Sequence, residues 1–441
     1  MGAATASRGH VHEFVGLPKL GIAGVPVRLS GRAAAAWFGA ALALALSVGH
    51  FAFSARAVLR RGFADFPIFM ARAADFLHTG QLYVSADNLV AYGPGTPVYK
   101  YPPFYALFLL PFAHADLRQV EYCHWLLQIA LYVLAVMLTV VALRPRHPLR
   151  FALVAAIVAL NFAPFFETLY GLQVETVLLL LLAVALLALR QGYEFAAGLA
   201  LGLAAMLKVY PILLLLYLGV ARRWRAVAGF AAAAALALVL SLAAFGPEQS
   251  RLYFTRILPT ISQEYPVRSA ENVAFGRYAR LLGATPEVAK RVGQLIAVPF
   301  VMASALAIHR RRRLRAGEEH APLELSLFVS LMLLCLANSW TNYQLLLLVP
   351  ILVLLAHAWD QPRDRASVLA ATLPCWGLLL LSENTPRVEG FYPFPPRLHA
   401  ALLGAKLAST LLAWGALLAL LLRRPDEISD DHAVTLQRQG H

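Results

Sequence analysis

"AAAAWFGAALALALSVGHFAFSARAVLRRGFADFPIF" occupies residues 33–69. Its apolar part, 33–59, is longer than the ~20 residues a helix needs to cross a bilayer. It is also too long for a signal-peptide core and has no convincing cleavage site, so it is expected to stay in the mature chain as a first membrane span. The tail before it carries Arg8, Lys19, Arg28 and Arg32 against one acid, Glu13. That positive excess keeps the N-terminus on the cytoplasmic side. At the far end of the span the chain meets water and at once places a carboxylate, Asp65. The question is what that carboxylate does there.

The pattern of the opening run repeats along the chain. Of 441 residues, 60% are hydrophobic and 14% charged, and the mean hydropathy is +0.64. A soluble domain could not hide that much apolar surface, so the fold class is an all-α polytopic membrane protein. Spans in lipid must satisfy their own backbone, which makes them helices. Apolar runs fall at 33–59, 119–143, 150–166, 173–190, 194–208, 210–221, 226–245, 292–309, 323–337, 342–358, 366–382 and 401–422. That pattern predicts about twelve transmembrane helices, several of them shorter than ~20 residues. Short helices of this kind are suited to line a cavity.

The net charge of +14 sits mostly in the links between these runs. Arg222, Arg223 and Arg225 form one cluster, Arg310 to Arg313 with Arg315 a second, Arg423 and Arg424 a third. This is the positive-inside bias of cytoplasmic loops. No basic groove interleaved with aromatics points to nucleic acid. The bias places 144–150, 191–193, 222–225, 310–320 and 361–365 inside, and 60–118, 166–173, 208–211, 246–291, 338–342 and 383–400 outside. Arg60 and Arg61, at the outer end of the first span, run against it. The expected organisation is a cytoplasmic tail 1–32, one transmembrane domain 33–422 and a polar cytoplasmic tail 423–441. The segment "YPPFYALFLLPF" (101–112) is kept in the first outer loop, because counting it as a crossing would put the basic loop 144–150 outside. The two long outer loops, 60–118 and 246–291, are of a length that is usually functional. No internal repeat of the transporter kind is visible. Cys123, Cys335 and Cys375 lie in apolar runs without metal or disulfide spacing.

The candidate chemistry lies in the outer segments. After Asp65, Phe66, Phe69, Met70, Ala73 and Leu77 share one helical face, with Arg72, Asp75 and Thr79 off it. That pattern predicts a short interfacial helix. Asp65 precedes its first turn and is either its cap or a base held at the lipid–water boundary; the two roles are compatible. In "VYKYPPFY" (98–105), Lys100 stands beside Tyr101 and a rigid Pro102–Pro103 pair. It either meets a phosphate or snorkels to the interface. "FETLYGLQVET" (166–176) sets Glu167, Gln173 and Glu175 at the hydrocarbon edge, where polar groups either face a cavity or form a solvated turn. "MLKVYP" (206–211) interrupts an apolar stretch with Lys208, and Pro211 breaks the helix beside it. A lysine there needs an anion or a route to water. "NSWTNYQ" (338–344) offers Asn338, Trp340, Asn342 and Tyr343, suited either to sugar contacts or to an aromatic belt. The second long loop holds Arg251, Arg256, Arg268, Arg277 and Arg280, with Asn272 near its centre; outward arginines suit an anionic head group. No HExxH, Walker loop, GxSxG or CxxC is present, and the lack of a clear carboxylate cluster leans against a metal.

Five strings, in this order, carry a resemblance: "DFPIFMARAADFLHTGQLY" (65–83), "YKYPPFYALFLLP" (99–111), "GLQVETVLLLLL" (171–182), "LAAMLKVYPILLLL" (203–216) and "NYQLLLLVP" (342–350). Together they resemble the GT-C superfamily of polyprenol-phosphate-dependent glycosyltransferases, and within it glycosyltransferase family 87. The resemblance implies a GT-C fold with two long outer loops, in the cytoplasmic (inner) membrane, active face outward. It implies a hexose, most simply mannose, moved from a polyprenyl-phosphate donor to a lipid or glycan hydroxyl, with inversion. The lipid-linked donor is the co-substrate, and no further cofactor is expected. An acidic residue of the first outer loop serves as base, which maps to Asp65. Lys208 falls to the phosphate, with Lys100, Tyr101, Gln173, Glu175, Arg277, Asn338, Asn342 and Tyr343 lining the substrates. Where the family often has His before Tyr, this chain has Asn342 before Tyr343. Two rival functions use the same cavity: a flippase of lipid-linked sugars, and a non-catalytic membrane partner in an envelope-polysaccharide complex. Repeat symmetry would favour the flippase; the departure at Asn342 is what favours the partner.

Overall fold

The computed structural model describes residues 31–83, 99–259, 273–314, 320–336, 339–383 and 396–423. Among the described residues there is no strand; helices joined by short turns make up most of them. It divides into two compact units, residues 1–42 and 43–441. Every contact described below lies within the second.

The helices follow the apolar runs. In chain order they are α1 (Gly31–Arg61), α2 (Phe66–Thr79), α3 (Pro103–Ala106), α4 (Leu117–Leu143), α5 (Pro148–Leu160), α6 (Ala163–Gly171), α7 (Glu175–Arg190) and α8 (Glu194–Leu207). Then come α9 (Leu213–Val220), α10 (Trp224–Leu252), α11 (Phe275–Leu281), α12 (Pro286–Leu314), α13 (Ala321–Leu334), α14 (Leu348–Asp360), α15 (Arg365–Glu383) and α16 (Pro396–Leu422). Each of the twelve expected runs is helical, but they differ in reach. Among the described residues, six helices are long and apolar enough to cross a membrane, seven if α5 and α6, bent by 52°, count as one span. The chain is thus a multi-pass helical membrane protein. The remaining runs are shorter than a perpendicular crossing needs. They stop at breaks that hydropathy does not register, such as the left-handed Leu172 and Lys208–Pro211.

α8 and α10 pack with almost no side chain between them. Gly198 and Gly202 lie one turn apart on α8, and Gly229 faces them from α10. A Cβ on Gly198 would stand 1.9 Å from the Ala226 carbonyl oxygen, and one on Gly229 2.1 Å from that of Phe195. Between helices in lipid, where apolar contact gains little over lipid tails, such close backbone approach is what holds a pair together. The consequence is local: it anchors α8, whose C-terminal end carries Lys208.

The loops sort into two groups by their partners. Those assigned inside by charge are tied by ion pairs. Arg312 grips the fully buried Glu324 with a two-pronged contact of 2.8 and 2.7 Å and also donates to the Ala221 carbonyl. Arg223 meets Glu194 at 3.1 Å, and Asp364 takes His357 at 2.8 Å together with Arg423. Those assigned outside meet one another in a separate cluster, described next. α2 buries Phe66, Phe69, Met70 and Ala73 as expected, while Leu77 is exposed. Segment 101–112 folds as α3 and a 3-10 turn rather than a crossing.

The glycine contact predicts a directional result. Gly198→Val forces the helices apart, and overpacking of this kind costs about 1–3 kcal/mol. Thermal unfolding of the purified protein in detergent should show a lowered midpoint. Gly219→Ala, where an added Cβ meets nothing within 4 Å, should leave it unmoved.

Candidate functional site

The site begins where α8 ends. The Lys208 amide still closes the last helical bond, to the Ala204 carbonyl at 3.1 Å, but its φ and ψ of −151° and 129° are extended. With Pro211 forcing a 3-10 turn just beyond, the side chain leaves the helix line. Its ammonium hydrogen-bonds Glu175 Oε1. Glu175 is fully buried and sits in the first turn of α7, where the helix dipole favours a carboxylate. Three tyrosines surround the same ammonium: ring centroids of Tyr343, Tyr101 and Tyr210 lie 4.0, 4.9 and 5.8 Å away. Tyr210 and Tyr343 stack on each other at 4.9 Å.

From Lys208 a chain of hydrogen bonds runs outward. Lys208 Nζ donates to Tyr101 Oη at 3.2 Å. The Tyr101 hydroxyl donates to Gln173 Oε1, and Gln173 Nε2 donates to Asp65 Oδ2. Burial, foremost, and the nearby Glu175 carboxylate push the Tyr101 phenol well above its ordinary range. It therefore stays a donor at neutral pH. Gln173 is aimed by its neighbour: Leu172 takes the left-handed conformation, φ 46° and ψ 46°, at the end of α6. A branched residue adopts that shape only at a cost. From behind, the Gln173 carbonyl accepts from Gln128 Nε2 at 2.7 Å, and the same amide lies 3.2 Å from the His124 ring, which stacks on Phe66 at 4.7 Å.

Asp65 precedes α2 as expected but does not cap it. Its φ and ψ are −105° and −31°, and its side chain makes no capping bond. The helix start is instead held by the Asp65 carbonyl, which accepts from Ile68 and Phe69, and by Ala64 N bonding Tyr170 O at 3.1 Å. The carboxylate is left to face Gln173. The capping reading of Asp65 is thereby corrected: Pro67 already occupies the second helical position and removes one amide a cap would bind.

The other expected residues are placed as follows. Lys100, half-buried, lies within the electrostatic reach of both Asp65 and Lys208. Burial lowers it to about 8, with Asp65 pulling up and Lys208 pressing further down. Asn342 joins through its backbone: its carbonyl accepts from Thr168 Oγ1 at 3.3 Å, tying the 3-10 segment to α6. Arg277 stands on α11 among Tyr278 and Arg280. Asn338, Arg268 and Asn272 lie outside the described residues. Among the described residues, no group of three or more His, Cys, Asp or Glu could hold a metal ion.

Some participants escaped the sequence reading. Gly171 is one: a Cβ there would come within 2.6 Å of Gln173 Cγ and 3.1 Å of Asp65 Oδ2. Lys406 is another, buried on α16 and donating to Thr341 Oγ1 at 2.6 Å, with Thr410 one turn on bonded to Gln344 at 2.8 Å. These two contacts hold the 3-10 segment that carries Tyr343. A lysine inside the run 401–422 was a visible signal by its expense alone.

A membrane helix bundle that buries a paired cation and carboxylate, with a second carboxylate wired to them, carries the kind of costly ionisable cluster that marks a functional site. Residues 99–339 match the family model described as Glycosyltransferase family 87. A mannosyltransferase of Mycobacterium tuberculosis is 30% identical over 356 residues, 78% of this chain and 77% of the relative. One from Mycolicibacterium smegmatis is 29% identical over 329 residues, 73% and 74%. Both are named polyprenol-phosphate-mannose-dependent alpha-(1-2)-phosphatidylinositol pentamannoside mannosyltransferases. The chain belongs to glycosyltransferase family 87. Tyr101, Gln173, Glu175 and Lys208 lie inside the matched segment; Asn342 and Tyr343 lie just past its end, and Asp65 lies well before its start.

The close fit at Gly171 gives a test. Gly171→Ala displaces Gln173 and with it Asp65, and misplacement of about 1 Å costs on the order of 10²-fold in rate. Sugar transfer should fall by that order while the thermal midpoint in detergent changes little.

Proposed function

We propose that this protein transfers a hexose, mannose by the names of its relatives, from a polyprenyl-phosphate donor to a lipid or glycan hydroxyl. The observation that carries the reading is that Asp65 is released from helix capping and joined through Gln173 and Tyr101 to Lys208. A base and a cation then flank one region at the ends of the segments assigned outside. The charge of the loops supports an inner-membrane protein with both termini cytoplasmic and the site facing outward.

In this scheme the acceptor oxygen forms its bond to the anomeric carbon as the bond from that carbon to the phosphate oxygen breaks. The acceptor proton passes to Asp65, and the electron pair leaves with the polyprenyl phosphate. Attack from the side opposite the phosphate inverts the anomeric carbon. A positioned carboxylate base contributes ~10²–10⁴-fold. The departing phosphate gains negative charge, which cations in a dry site offset strongly. Lys208 already holds Glu175, so its charge is partly spent. Lys100, which lies within electrostatic reach of Asp65 and Lys208, is assigned as the second cation. Arg277, Asn338, Asn342 and Tyr343 are assigned to lining the substrates. The lipid-linked donor is the co-substrate, and no other cofactor enters the scheme.

Two experiments test it. Asp65→Asn should leave folding intact, since the side chain caps nothing, and lower transfer by ~10²–10⁴-fold; transfer at the wild-type rate would refute the base assignment. The second uses Lys100, whose folded value of about 8 lies below its usual 10.5. Between those values the unfolded chain holds the extra proton, so stability rises with pH across that window. Donor binding moves the other way: KM for the donor should climb as pH passes through about 8. Lys100→Met should raise KM at neutral pH and flatten that climb.

A further inference from the structure

We propose that Gln173 is a positioning residue for Asp65, fixing the carboxylate's orientation and transmitting to it, through Tyr101, the influence of the Lys208 cation. The inference rests on Asp65 being the base. The sequence reading gave Gln173 to the substrate, but both ends of its side-chain amide are engaged within the protein. Nε2 donates to Asp65, and Oε1 accepts from Tyr101. Its backbone is fixed as well, by Gln128 on the carbonyl and by Thr168 O, which takes its N–H at 3.0 Å.

The direction of these bonds carries the argument. Lys208 donates to Tyr101, Tyr101 donates to Gln173, and Gln173 donates to Asp65. A hydroxyl that accepts from a cation becomes a stronger donor, and so does an amide N–H whose oxygen accepts. The amide cannot be turned over, because that would set Oε1 against an ionised carboxylate. The chain therefore runs one way, from cation to carboxylate. The surrounding fold is shaped to this end: Leu172 is held left-handed to aim Gln173, and Gly171 leaves the room it needs.

Other charged and titratable groups act on the same carboxylate or pack on residues next to it. Lys100 and Lys208 act on it from the 99–102 segment and the end of α8, with Tyr101 beside them. His124 on α4 stacks against Phe66, the next residue, and Arg61 lies over the Tyr170 ring at 4.9 Å. All but Tyr101 stay in place in the variants below, so a change in pH profile reports the altered chain.

The test uses full-length protein in detergent, a synthetic polyprenyl-phosphoryl mannose and a phosphatidylinositol-mannoside acceptor. Release of polyprenyl phosphate is followed against pH. Gln173→Leu removes the donor that favours the ionised carboxylate. The acid limb of kcat should move up by about one pH unit, kcat at its plateau should fall by up to about 10²-fold, and donor KM should change little. Tyr101→Phe never touches Asp65 and keeps its ring packing on Phe69 and Tyr105. It should move the limb the same way by less, and its effect should vanish in the Gln173→Leu background. A purely structural role would lower the thermal midpoint and leave the limb in place. The proposal is overturned if folded Tyr101→Phe and Gln173→Leu both keep the wild-type acid limb while Asp65→Asn is inactive. Should Gln173→Leu fail to fold, an unmoved limb in Tyr101→Phe overturns it alone. Wild-type transfer by Asp65→Asn would instead show that the base assignment, and not the chain behind it, is at fault.

Discussion

A lysine ammonium set between apolar helices has to be met by something, and here it is met by Glu175. Removing one member of a buried pair costs about 3–5 kcal/mol, because the other is left uncompensated. That penalty fixes the two helix ends to each other, the start of α7 and the end of α8. The tyrosines follow from the same constraint. Tyr101, Tyr210 and Tyr343 turn their ring faces or hydroxyl to the ammonium. Each brings its own segment with it: the first outer loop, the 3-10 turn after α8, and the 3-10 segment before α14. The pair is thus the point at which four separate stretches of chain are held together.

Short helices become intelligible from this point. A helix that crosses the whole bilayer keeps its ends at the two surfaces. A helix that stops early exposes unsatisfied amides or carbonyls inside the protein, and these need partners. α6 ends at Leu172, α8 at Lys208, and the run before α14 stays 3-10 through Leu347. The ends are satisfied locally. Thr168 O accepts the Gln173 amide, Ala204 O the Lys208 amide, and Asn342 O the Thr168 hydroxyl. The breaks that make the helices short are the same breaks that deliver polar side chains to one place. The glycine contact between α8 and α10 keeps one of these ends from drifting.

How much of this was legible in the sequence depends on what each residue had to announce. Lys208 and Glu175 announced themselves, because a charge inside an apolar run is expensive and has to be explained. Tyr101, Gln173 and Tyr343 were found by lying in the same outer segments. What the sequence could not give was pairing. Lys208 was expected to await a phosphate, yet it already holds a carboxylate from a residue 33 positions away. Asp65 was open to a capping role because caps are read from spacing, and spacing is silent about which way a carboxylate points. Gly171 gave no signal, since its importance lies wholly in the close approach of Gln173 and Asp65. Hydropathy marked the apolar runs without marking how each one ends, for a similar reason. It averages over windows and passes across a left-handed leucine or a lysine–proline break without a mark.

The departure at Asn342 takes on a different weight in this light. Resemblance to the family sets a histidine before Tyr343, and its replacement left room for a non-catalytic role. The structure places the neighbouring Tyr343 ring 4.0 Å from Lys208 and joins Asn342 to α6 through its backbone carbonyl, a contact any side chain would allow. Asp65 takes its hydrogen bond from Gln173, on a different segment. Lys208, its Glu175 carboxylate and the Asp65 carboxylate wired to them are therefore assembled without the side chain at position 342. A residue that the arrangement does not lean on is free to differ, so its difference is no argument that the site is idle.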